Sequence, residues 1–111
     1  MSPSPICNAL LRVDGISGEP PAPFERPRHD LDFWVLELPD QNMSVAEWCA
    51  QVTPILHRHA EELQQVHLVG GRSCLFVQLS SGVPVLRLEA IFLRLLAVLG
   101  IALECALDAD T

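Results

Sequence analysis

Residues 88–107 read LEAIFLRLLAVLGIALECAL, and this run decides the fold. Its first half is helical: Leu88, Ile91, Phe92, Leu95, Leu96 and Leu99 recur at the spacing of one helix face. Gly100 stops the helix, because glycine turns a helix end without a Cβ penalty. Residues 101–107 then alternate as a strand, with Ile101, Leu103, Cys105 and Leu107 inward and Glu104 outward. The apolar arc of helix 89–99 is very broad. Leu93 and Val98 flank its core face, and only Ala90, Arg94 and Ala97 lie opposite.

Working back along the chain, residues 73–79 alternate with Leu75, Val77 and Leu79 on one face and Cys74 and Phe76 on the other. Ser80-Ser81-Gly82 reads as a short turn into a strand over 83–88, which predicts a hairpin with Pro84 near an edge or bulge. Gly70-Gly71 is a flexible turn. Ser44, three residues before Glu47, has the spacing of a capping box. From there Val45, Trp48, Cys49, Val52, Leu56, His59, Leu63 and Val66 share one helical stripe over 44–66. Thr53-Pro54 inside this stripe either kinks one helix or starts a second.

The strand predicted over 31–38 carries apolar side chains on both faces: Leu31, Phe33 and Val35 on one, Trp34, Leu36 and Leu38 on the other. That pattern suggests a central strand covered on both sides. A first strand over 6–13 points Cys7, Ala9, Leu11 and Val13 one way and Asn8 and Arg12 the other. Between them, residues 14–30 form a long proline-rich loop. The loop holds a polar run whose Arg26, Arg28 and His29 are a candidate surface for a polar partner. The expected architecture is a single α+β domain over 1–111 ending in an acidic tail, 108–111. It is a ferredoxin-like two-layer sandwich, βαββαβ, with an extra N-terminal strand and an antiparallel sheet.

Charge narrows the function. The 111 residues hold 14 Asp and Glu against 7 Arg and no lysine, a net charge of −7, so a nucleic acid would be repelled. The N-terminus lacks the pattern of a signal peptide, and the most apolar run is too short for a membrane-spanning helix. A cytoplasmic protein with four reduced cysteines, Cys7, Cys49, Cys74 and Cys105, is the expectation.

Catalytic signatures are missing as well. His57 and His59 point about 200° apart on a helix and cannot share a metal there; His59 lies on the apolar stripe and His57 faces solvent. Neither Ser80, Ser81 nor any cysteine sits in an activating context. Gly70-Gly71-Arg72-Ser73 precedes a strand, so no helix dipole strengthens it as an anion site. No catalytic residue, cofactor or metal is expected. Apolar surface in excess of a two-layer monomer instead suggests an interface, with Trp34, Leu36, Leu93 and Val98 as candidates. A closed homodimer would hide such a patch. Contact through the Trp34 sheet face is preferred to a helix contact through Leu93 and Val98, because the helices need their apolar sides for the monomer core.

Residues 88–104, with the Phe33-Trp34-Val35-Leu36 strand and the helix after it, resemble a group of small uncharacterised bacterial proteins, domain of unknown function 4279. The resemblance spans roughly residues 6 to 108, implies an α+β fold and transfers no active site. The Leu96-Ala97-Val98-Leu99-Gly100-Ile101 run is also similar to regulatory amino-acid-binding (ACT) domains. The expected function is a non-enzymatic bacterial protein-interaction domain that self-associates. One version is an immunity-like protein whose acidic surface covers a basic protein partner. The alternative is a small-molecule, amino-acid-sensing domain.

Overall fold

The structure, a computed structural model, describes residues 6–15, 20, 24–26, 33–40, 43–80 and 87–107. Among the described residues, four strands and three helices run in the order β1 (Ile6–Asp14), β2 (Phe33–Glu37), α1 (Val45–Arg58), α2 (Ala60–Leu68), β3 (Arg72–Leu79), α3 (Ala90–Leu99) and β4 (Ile101–Leu107). The strands form one mixed sheet in the order β2-β1-β3-β4. β1 pairs antiparallel with β2 and β3, while β3 and β4 are parallel. This α+β arrangement differs from the antiparallel sheet expected. β3 has β1 on one edge and β4 on the other over almost its whole length, so no edge remains for a hairpin partner. Of the strand expected over 83–88, residues 83–86 lie outside the described residues, and Arg87 and Leu88 are not in a strand.

One face of the sheet carries Ala9, Leu11, Val13, Leu36, Leu75, Val77 and Ile101, all buried under the helices. The register keeps them together: Leu11 stands opposite both Leu36 and Leu75, and Ala9 opposite Val77. At the start of β1 the register slips between Ile6 and Asn8. A bulge of this kind adds one residue to a strand and reverses its facing. Ile6 therefore enters the core and Cys7 is exposed, contrary to the inward position expected from simple alternation.

β2 is an edge strand and not a central one. Its Trp34-Leu36-Leu38 side faces the helices. Its other side is only half-buried at Phe33 and Val35, where Arg12 stacks on Phe33 with its guanidinium carbon 3.9 Å from the ring centre.

The capping box forms as expected: Glu47 N donates to Ser44 Oγ at 3.2 Å, and Ser44 N donates to Glu47 Oε1 at 3.4 Å. Pro54 neither ends nor restarts the helix. It lies inside α1, where the carbonyl it cannot satisfy belongs to exposed Ala50 and can be taken by water. The break falls at His59, with φ −105° and ψ 16°, and α2 resumes so that Leu63 and Val66 continue the stripe of Trp48, Val52 and Leu56. Trp48 is wholly buried, edge-on to Phe92 of α3 at 5.6 Å between ring centres. That contact joins α1 to α3. On α3, Phe92, Leu96 and Leu99 face the sheet; Ile91, expected in the core, is 79% exposed.

Gly100 ends α3 at φ 71° and ψ 29°, a conformation that costs a residue with a Cβ roughly 1 kcal/mol. An added Cβ would meet only the His67 ring, at 3.6 Å, which is an ordinary contact. Gly100→Ala should therefore lower the unfolding free energy by about 1 kcal/mol. A lower urea midpoint at unchanged slope is the expected reading; an unchanged midpoint would mean that the turn does not require glycine.

Candidate interaction surface

The two edges of the sheet differ. At the β2 edge the chain closes on itself: Glu25 and Val35 exchange backbone hydrogen bonds, with N···O distances of 2.8 and 2.7 Å. Phe24, beside them, is buried with its ring 6.3 Å from Trp34 and 5.3 Å from His59. At the other edge, among the described residues, β4 pairs with β3 alone. Ala102, Leu103, Glu104 and Cys105 are all exposed there.

The helix above β4 is apolar on both flanks. At 100° per residue, Leu88 and Leu95 lie on the flank of α3 that packs against the core with α1 and α2. Ile91 and Val98 sit higher on that same flank, 79% and 72% exposed. Leu93 lies on the opposite flank, away from the side on which Val98 meets α2, and is 44% exposed. Leu103 belongs to the helix-facing side of β4 yet remains 37% exposed, with no second helix among the described residues over that margin.

Between the ends of α2 and α3 lies a shallow cleft of ≈ 490 Å³, lined by Gln64, His67, Leu68, Ala97, Val98, Leu99 and Gly100. Leu68 in its wall is 75% exposed, and Val69, the next residue along the chain, is 69% exposed. Its polar side chains are Gln64 and His67; the rest of the wall is apolar side chain and backbone.

Groups able to do chemistry are scattered. His59 is buried, with Nδ1 3.7 Å from Glu62 Oε2, and His57 is exposed. Among the described residues no three His, Cys, Asp or Glu side chains converge as metal ligands. Burial pushes the Cys49, Cys74 and Cys105 thiols above their ordinary range. Glu89 adds to the effect at Cys49, and Glu104, whose Oε2 is 3.8 Å from the Cys74 sulfur, adds to it at Cys74. These thiols are held in their protonated, weakly nucleophilic form. Arg12 spends its charge on Asp14, with Nε 2.9 Å from Oδ1. Ser80 is half-buried beyond the end of β3; Ser81 is outside the described residues.

Burial reassigns half of the interface expected from the sequence. Leu36 is 7% exposed within the core, and Trp34 packs against that core and Phe24. Their side of β2 is the helix-covered side, so neither offers a free sheet face. Leu93 and Val98 are exposed as expected, but on opposite flanks of α3. Arg26 is half-buried beside the Glu25–Val35 bridge, and Arg28 and His29 lie outside the described residues. Leu103, Ile91, Leu68 and Val69 add exposed apolar surface that alternation and helical periodicity place in the core or leave unassigned.

No family model, curated protein or solved structure matches the chain.

Raised thiol pKa values mean less thiolate at a given pH and slower alkylation. In a Cys7→Ser variant, iodoacetamide should label the remaining three cysteines more slowly at pH 8 than it labels free cysteine. The rate should keep climbing with pH above the range in which free cysteine has already ionised. A fast-reacting thiol at neutral pH would contradict the assignment and reopen nucleophilic catalysis.

Proposed function

We propose that this chain is a non-enzymatic protein-interaction domain whose working form is a pair of identical copies. The observation that carries this reading is the apolar margin over β4, where Leu93 and Leu103 are exposed above an edge with no partner among the described residues. Exposed apolar side chains beside an open strand edge have the pattern of an interface, while the more exposed Ile91, Val98, Leu68 and Val69 lie away from that margin. Net charge of −7 keeps copies apart everywhere else. The acidic exterior also suits a basic protein as a further partner, and cysteines scattered over β1, α1, β3 and β4 support a cytoplasmic setting. We also propose a ferredoxin-like relationship, supported by the buried residues that α1, α2 and α3 turn to one face of the sheet.

The α2–α3 cleft favours a second reading, a small-molecule sensor of amino-acid size, because Gln64 and His67 stand beside the exposed Gly100 turn in an otherwise apolar wall.

Light scattering at micromolar concentration separates the two. The interaction reading predicts twice the chain mass, falling towards a monomer on dilution. A monomer at every concentration overturns it, and a monomer whose melting temperature rises with an added amino acid favours the sensor.

A further inference from the structure

Resting on that reading, we propose that the second copy docks on the outer edge of β4, antiparallel to it, about a two-fold axis through Leu103. Two four-stranded sheets then join into one of eight.

The backbone supplies the first reason. The outer edge of β4 offers a row of N–H and C=O groups, and Ala102 to Cys105 are exposed along it. Edge strands are ordinarily protected by proline, lysine, a bulge or a covering segment. The opposite edge has such a cover in the Glu25–Val35 bridge. Residues 101–107 contain neither proline nor lysine, and the β3–β4 register runs without a shift from Ser73↔Ile101 to Leu79↔Leu107. Their one charge, Glu104, projects from the sheet face beside Cys74 and does not guard the edge.

The side chains supply the second. α3 runs antiparallel to β4 from the Gly100 turn. Seven residues of helix and three of strand both rise roughly 10 Å, so Leu93 stands level with Leu103. A two-fold axis perpendicular to the sheet keeps both copies of α3 on one side. It brings Leu93 and Leu103 of each copy into a single cluster over the junction.

Charge excludes the neighbouring register, and the Leu93–Leu103 cluster selects Leu103. An axis through Glu104 would set two carboxylates directly opposite each other, which is destabilising. With the axis at Leu103, Glu104 faces Ala102 of the second copy and Ile101 faces Cys105. Residues 90–107 carry only Arg94 and Glu104, so the two acidic molecules meet across a surface with no net charge.

The test compares the mass of the wild type, Leu103→Lys and Val98→Lys at micromolar concentration, with circular dichroism to confirm folding. The expected result is a dimer, a folded monomer and a dimer, respectively. A second measurement guards against a Leu103→Lys variant that does not fold. In a Cys7→Ser background, copper-phenanthroline oxidation should cross-link Leu103→Cys between copies, because residues directly opposite have Cα separations a disulfide can span. The same background without Leu103→Cys should stay uncross-linked, because Cys105 faces Ile101. A dimer that survives Leu103→Lys, or that Val98→Lys abolishes, overturns the β4 interface while pairing itself stands. Cross-linking through Cys105 without Leu103→Cys overturns the register. A wild-type monomer overturns the pairing.

Discussion

A strand has two edges, and in this chain both edges of β3 are taken: antiparallel by β1, parallel by β4. Parallel neighbours cannot be joined by a tight turn, so the chain must cross over the sheet between them. α3 makes that crossing, which is why it lies above β4 and why it needs an apolar underside of Phe92, Leu96 and Leu99. The return into the sheet is a single left-handed glycine, Gly100. Its carbonyl accepts a hydrogen bond from the buried Ser73 hydroxyl at the start of β3, at 3.5 Å. Sheet order, helix placement and the exposed final strand all follow from this one central position.

The same constraint makes the domain lopsided. α1 and α2 share a continuous stripe that covers β1 and β3, and Trp48 meets Phe92 where the helices join. Only α3 serves the β4 side, and one helix does not cover both β3 and the outer margin of β4. Leu103 and Cys105 alternate correctly for the helix side of the sheet, yet both are exposed. The β2 margin has no such deficit, because Phe24 and the Glu25–Val35 bridge close it. A protein of net charge −7 without lysine has only acidic side chains and a few arginines to protect an open edge, and those on β4 and α3 cancel.

Local physics was legible in the sequence because it depends on neighbours a few residues away. The Ser44–Glu47 capping box, the stripe from Trp48 to Val66 and the glycine stop at Gly100 all follow from helix geometry, and the alternation of 73–79 from strand geometry. Pairing depends on distant residues, and the local pattern misleads where one signal has two explanations. Apolar side chains on both faces of 31–38 suggested a central strand, but β2 is an edge whose Trp34–Leu36 side is the core side. Alternation placed Cys7 inside, and a bulge with no sequence mark of its own put Ile6 there. Ile91 and Leu103 fit the core pattern of their elements and are exposed only because of what the topology leaves uncovered. For the candidate surface, Leu93 and Val98 were visible as an excess on the helix arc; their division between two flanks needed the position of α1 and α2.

Amide hydrogen exchange along β4, followed as a function of protein concentration, tests the central claim most directly. In an edge strand, alternate N–H groups bond to the neighbour and the rest point outward. The outward amides of β4 should exchange fast in dilute solution and become protected as concentration rises, while amides of β2 keep one rate throughout. Outward β4 amides that exchange equally fast at all concentrations at which the protein is dimeric, or protection appearing at α2 and Val98 in their place, would contradict it.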